Sequence, residues 1–415
     1  MLRDGGLLTS LIQTTADFSL VTGKNLTWDE RKHLLSVNSK GFFRSGVAGA
    51  ILGALQLSNL LFKSYNRKPG TDRITPEITL GIYFSASYLC CQSFFSFSIL
   101  FFKAEFEAFI NAAYRFEVTH AKEIRDMLKM TANRRMIAIA KFYTGITRQA
   151  GTKLASFVIA LLAVLMPSMP MNFFSFPPGQ YLMDLVGFMG LPENIFCLIF
   201  IALTFVINWI AWILLVKFGV IGMNRAMIGA ASLAVYITVI KRKLEPLSSF
   251  SSDSKYKQSL ASASMSYKEI QILVTIFNQV HSGILVSILV NMMIFLVLGA
   301  VNIVKATAVG RFLDYHSVTL NLYFVQNVFL TTIIIFAVFG VCGNVHFESC
   351  RELARMKRVV LGSGRNRKLM EKSLKGLPVL KIEFGATNFV EKRTPFVYVE
   401  FALARMVENL LLSKR

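Results

Sequence analysis

The sequence predicts an all-α integral membrane protein: a seven-transmembrane helix bundle with a cytosolic N-terminus and helical extensions on the cytosolic side. Three observations carry that prediction. Apolar residues make up 54% of the 415 and charged residues only 17%, against about 45–50% and about 25% in soluble domains. The apolar excess is gathered into blocks of roughly 20 residues, the length a helix needs to cross a hydrocarbon layer about 30 Å thick. Such blocks must be helices, because they lack the strict alternation of barrel strands and nothing else satisfies the backbone in lipid. Lys and Arg are also segregated. On seven spans with the N-terminus inside, 34 of them fall on inside stretches and 8 on outside stretches. Cytosolic loops collect basic residues in this way.

The expected spans follow in order. The first covers 42–62, and the second 78–102, rich in Phe and Ser. The third covers 154–167, and the fourth 195–216, with Trp209 and Trp212 near its inner end. The fifth, 284–304, belongs to a helix that starts near Tyr267, because Ile270, Leu273, Ile276 and Phe277 recur at helical spacing. The sixth, 320–341, continues as helix to about Val360, where Gly362 and Gly364 provide a stop. The last, 395–412, starts with Thr394 as N-cap and Pro395 as first helical residue. The organisation is a cytosolic segment 1–41, six spans with their loops over 42–345, a basic cytosolic linker 346–394, and the final helix with the C-terminus over 395–415.

The apolar segment 219–240 competes with this count. It contains Asn224 and Arg225, and making it a span would carry the loop with 12 basic residues outside. It is therefore read as a cytosolic or interfacial extension of the fourth helix.

Composition excludes several function classes. A net charge of +21 is explained by the basic inside loops, and no basic-aromatic motif points to nucleic acid. Cys90, Cys91, Cys197 and Cys342 lie in apolar blocks and Cys350 just beyond one. Their spacing suits neither a metal site nor a disulfide framework. The first apolar stretch, 7–12, is too short for a secretory signal, and the sequon at Asn25 faces the cytosol. No phosphate-binding loop, zinc motif or nucleophile triad appears, so no enzyme, cofactor or metal is expected. The first six spans carry almost no ionisable residues, which argues against ion-coupled transport.

The last span differs. Glu400, Arg405 and Glu408 lie within it, with Glu400 and Glu408 two turns apart on one face and Arg405 three residues from Glu408. One reading is a helix lining an aqueous pore, with acidic rings that attract cations. The others are pairing within one subunit and a short helix lying at the interface. Val397, Glu400, Arg405 and Glu408 are the candidate pore-lining residues.

The stretch Phe384-Gly385-Ala386-Thr387-Asn388-Phe389-Val390-Glu391-Lys392-Arg393-Thr394 resembles the segment that leads into the final helix of the arthropod gustatory and odorant receptor superfamily. There a Phe is followed shortly by a charged pair and Thr. The likeness covers about 35 residues. The span count, the inside N-terminus, the basic inside half and a chain that stops after a charged last helix agree with it. The family's Thr-Tyr, five residues, Gln-Phe pattern is absent; the nearest options are Thr394-Pro395 with Glu400-Phe401, one residue short, and Ala404-Arg405 with Leu411-Leu412, which matches in position rather than identity.

The resemblance implies a chemosensory, ligand-gated, non-selective cation channel of the plasma membrane, with a small organic ligand and a homo- or hetero-tetramer of related subunits. It implies a pore lined by the last helix, an anchor built from 217–240, 267–280 and 347–360, and a ligand pocket in the outer half. The topology places Tyr83, Phe84, Tyr88, Met166, Phe196, Phe200, Tyr323 and Phe324 there; an aromatic lining suits small organic ligands, and packing or lipid contact is the other role for each. The other functional readings are a G-protein-coupled receptor and a facilitative transporter. The first needs an outside N-terminus, and the chain lacks its Asp-Arg-Tyr and Asn-Pro-x-x-Tyr motifs.

Overall fold

The computed structural model describes residues 26–29, 34–65, 89–91, 93–128, 224–244, 253–310, 318–361, 367–385 and 388–412. Among these the chain forms helices α1 (Ser39–Tyr65), α2 (Leu89–Phe101), α3 (Lys103–Thr119), α4 (Ala121–Leu128) and α5 (Asn224–Leu244). They are followed by α6 (Asp253–Ala308), α7 (Val318–Leu361), α8 (Arg367–Lys375) and α9 (Thr394–Leu412). The expected spans at 154–167 and 195–216 lie outside the described residues.

Two short antiparallel strand pairs add to the all-helical expectation: β1 (Leu26–Asp29) with β2 (Leu34–Val37), and β3 (Glu383–Phe384) with β4 (Asn388–Phe389). Strands this short leave no readable alternation in sequence. β2 persists because helix α3 satisfies its open edge. Asn111 Oδ1 accepts the Leu35 N–H at 2.9 Å, and Glu107 Oε1 accepts the Val37 N–H at 2.7 Å. An edge amide left without such a partner would cost roughly 1–3 kcal/mol.

Two helices dominate. α6 has 56 residues and α7 has 44, lengths of roughly 84 Å and 66 Å at 1.5 Å per residue. Both contain stretches long and apolar enough to cross a membrane, yet both are more than twice as long as a hydrocarbon layer about 30 Å thick. α6 begins at Asp253, earlier than the expected Tyr267. Its first turns are rich in Ser and Lys and show no apolar stripe, but Leu260 and Ala263 are buried.

The lower parts of these helices form a foot. Helix α5 lies antiparallel to α6 there. Lys243 Nζ donates to Ser266 Oγ at 2.6 Å, while a Cβ on Gly229 would fall 2.7 Å from the Phe277 ring. The segment expected to extend helix four therefore runs beside residues 262–277 of α6, on the N-terminal side of the expected span at 284. Residues 226–240 of α5 are buried throughout, which explains why they carry no charge and only Ser232 and Thr238 break the apolar run. Inside this contact the Tyr236 hydroxyl donates to Glu117 Oε1 at 2.8 Å. Burial, with Glu117 next, pushes the Tyr236 phenol well up, so it stays a donor. His120 packs against Phe116, with ring centroids 4.5 Å apart and the planes tilted by 55°. Burial, with Lys243 adding to it, lowers its pKa.

Within the stretch 346–394, residues 346–361 continue α7, and residues 378–385 and 388–394 lie against the two long helices. Tyr267 OH donates to the Pro378 carbonyl and stands 2.7 Å from Ser349 Oγ, and that hydroxyl oxygen accepts the Leu380 N–H at 2.7 Å. Asn278 donates to the Lys381 carbonyl at 2.9 Å and accepts the Glu383 N–H at 3.1 Å. The chain turns at Gly385, whose φ of 69° suits glycine. Val390 is buried, and the Glu391–Lys392 backbone passes against Gly343 so closely that a Cβ there would lie 2.6–2.7 Å from it.

That approach makes Gly343 a packing requirement. Gly343→Ala should destabilise by about 1–3 kcal/mol through overpacking, seen as a lower midpoint in thermal unfolding of the detergent-purified chain. Gly340→Ala, where nothing lies within 4 Å, should leave the midpoint unchanged or slightly raised. Equal midpoints for the two variants would contradict the packing.

Candidate functional site

Helix α9 is placed by what precedes it. Thr394 Oγ1 accepts the Glu391 N–H at 2.8 Å, closing the turn before the helix. The Arg393 carbonyl accepts the N–H groups of Phe396 and Val397. Thr394 thus braces the turn, and Arg393 supplies the first helical acceptor. This differs by one residue from the expected cap. The reason is that the expected cap, Thr394, is occupied with the turn's N–H.

From there α9 climbs beside both long helices. The Phe396 ring meets Phe336 edge-on at 5.1 Å, and Tyr398 stacks near Phe339 at 6.2 Å. The Tyr398 hydroxyl donates to the Leu289 carbonyl. Together with the contact of Glu391 and Lys392 to Gly343, these points show α9 antiparallel to α7 and parallel to α6. Arg405, seven residues beyond Tyr398, therefore stands about 10 Å further along, beside the middle of the 284–304 stretch. A helix lying flat at one end of those stretches would not make these contacts.

The helix has two faces. Pro395 and Ala402 are buried, and Tyr398, Val399, Met406 and Leu410 are half-buried; these residues face α6 and α7. Phe396, Val397, Glu400, Phe401, Leu403, Ala404, Arg405, Val407, Glu408, Asn409 and Leu411 are exposed, and at 3.6 residues per turn they wrap roughly 240° of the helix, with Val397, Ala404 and Glu408 near the middle of that arc. Val397 is 62% exposed while Ala402 is 1% exposed. Arg405 sits on the shoulder of the exposed arc. Its guanidinium donates to Glu408 Oε2 at 2.6 Å and lies 4.8 Å from the Phe401 ring centre. Glu400 has no ion pair among the described residues. All four candidate pore-lining residues are thus on the surface of one subunit, three on the open arc and Arg405 at its edge.

The candidate ligand residues are mostly beyond view: Tyr83, Phe84, Tyr88, Met166, Phe196 and Phe200 lie outside the described residues. Tyr323 is in α7, with its side chain outside the description, and Phe324 is completely buried. Sequence reasoning missed two working parts. Gly343 and the Tyr267–Ser349–Leu380 contact position α9, and neither carries a motif. The sign available was Gly343 within an otherwise apolar helical run.

This arrangement has solved counterparts. The structure of the insect olfactory receptor OR5 from Machilis hrabei matches with a TM-score of 0.59 at 12% identity, over 98% of this chain and 97% of that one. The same receptor in complex with eugenol matches with a TM-score of 0.54, at the same identity and coverage. No family model and no curated protein matches the chain. The likeness establishes a shared helical fold.

The two faces of α9 can be separated chemically. Single cysteines at Val397, Glu400, Ala404 and Glu408 should react with a membrane-impermeant charged methanethiosulfonate, and cysteines at Tyr398 and Ala402 should not, after subtraction of the parent's reactivity. Modification without this periodicity would contradict the assignment of faces.

Proposed function

We propose that this chain is a member of the arthropod gustatory and odorant receptor superfamily, acting as a chemosensory, ligand-gated, non-selective cation channel. In this reading it spans the plasma membrane seven times, N-terminus inside and C-terminus outside. It assembles as a tetramer of identical or related subunits.

The observation that carries the reading is the open face of α9. Three charges lie on an exposed arc or its shoulder, one of them beside the middle of an apolar helix pair. Each charge held at mid-depth against lipid costs about 2.5–3.5 kcal/mol on insertion scales and more in simulations. Water or neighbouring subunits remove that cost. Four copies of α9 around an axis would present Glu400 as an acidic level that attracts cations, with the Arg405–Glu408 pair further along the same path. Val397, nearest the cytosolic end, would form an apolar constriction.

The ligand in this reading is a small organic molecule in the outer half of the bundle, near Phe324. A solved receptor of this fold is described in complex with eugenol, an aromatic molecule of that class. Helix α7 is the link. It carries Tyr323 and Phe324 at its outer end and touches α9 through Phe336 and Phe339. A ligand that favours the open state must bind it more tightly than the closed one, and α7 is the element through which that preference reaches Phe396 and Tyr398.

Voltage clamp on cells expressing the full chain tests this. Eugenol and homologous series of small alcohols and ketones should evoke a current that needs no G protein. Glu400→Gln should reduce cation over chloride permeability, read as a shift in reversal potential. No current to any member, with surface expression confirmed, would refute the channel reading.

A further inference from the structure

We propose that Arg405 is a selectivity-determining residue: it masks Glu408 from within the same subunit, leaving Glu400 as the single uncompensated acidic level of the conduction path. The proposal rests on the cation-channel reading and goes one step further, into how this chain's three charges divide the work.

Geometry separates the two carboxylates. Arg405 is bonded to Glu408 at 2.6 Å, and both side chains are half exposed, 51% and 56%. Glu400 lies five residues before Arg405, which places the two about 140° apart around the helix, out of reach of one another. The guanidinium also lies 4.8 Å from the Phe401 ring centre, a cation–π contact that restrains the Arg405 side chain in addition to its pairing with Glu408. The facing stretches 284–304 of α6 and 320–341 of α7 contain no Asp, Glu, Lys or Arg. Among the described residues, Arg405 therefore has no competing carboxylate and Glu408 no competing cation.

The consequence is chemical. A bare ring of Glu408 would be a second acidic level, and two levels of carboxylates favour divalent over monovalent cations because oxygen donors hold a divalent ion more strongly. With Arg405 in place, Glu408 offers a neutral pair, and weak, single-level binding suits monovalent throughput. Glu408 lies nearer the C-terminal end of α9, which is the extracellular end in the proposed topology, so external divalent ions meet it before Glu400.

External calcium is the probe, applied during currents evoked by the same organic series. Arg405→Gln should lower the half-blocking calcium concentration at least threefold, and Arg405→Gln with Glu408→Gln should return it to the parent value. Glu408→Gln alone should expose the cation and lower sodium over chloride permeability. That single variant carries the test if Arg405→Gln does not reach the surface. Unchanged calcium block in Arg405→Gln, or an unchanged reversal potential in Glu408→Gln, overturns the proposal while evoked current persists. Absence of current in the parent chain would instead refute the channel reading itself.

Discussion

The contact between the Glu391–Lys392 backbone and Gly343 of α7 decides where the last helix starts, and with it everything assigned to α9. Backbone can approach a helix this closely only where no Cβ intervenes. The segment behind it is held by polar bonds rather than by burial alone. Tyr267 and Ser349 clasp the chain at Pro378 and Leu380, and Asn278 clasps it at Lys381 and Glu383. Tyr267, Ser349 and Leu380 are buried, and a buried donor or acceptor left without its partner costs roughly 1–3 kcal/mol. The foot is therefore the rigid reference against which α9 is set.

Given that placement, the charges on α9 follow a consistent logic. Its inward face is apolar and small enough at Ala402 for close packing on α6 and α7, and its outward face carries Glu400 and Glu408. The same helix could not expose those carboxylates to lipid cheaply, so the face calls for water or for its own kind across an axis. The Phe336–Phe396 and Phe339–Tyr398 contacts join the inward packing face of α9 to α7.

Much of the helical frame was legible in the amino-acid order. The continuation of α7 past its apolar stretch to about Val360 was legible from the stop that Gly362 and Gly364 provide, and the helix ends at Leu361. The opening of α6 was not, since a Ser-rich stretch acquires its helix from packing on α5. The strand pairs escaped notice because two to four residues show no period, and because Asn111 and Glu107 stabilise β2 from a distant helix. On α9, the spacing of Arg405 and Glu408 announced their pair, and the eight-residue interval announced the shared face of Glu400 and Glu408. The bracing role of Thr394 depended on a turn geometry that residue identity alone does not reveal. Most aromatic residues proposed for the ligand lie outside the described part of the chain, and Phe324 is buried, as pocket and packing roles alike require.

The proposed channel requires the open face of α9 to be turned toward an axis shared by several copies. Electron cryo-microscopy of the full chain assembled in lipid nanodiscs tests it directly. Four subunits are expected, with α9 innermost and Val397, Glu400 and Glu408 directed at the axis. An assembly in which α9 lies at the periphery with Glu400 against lipid, or a chain that remains monomeric, would contradict it.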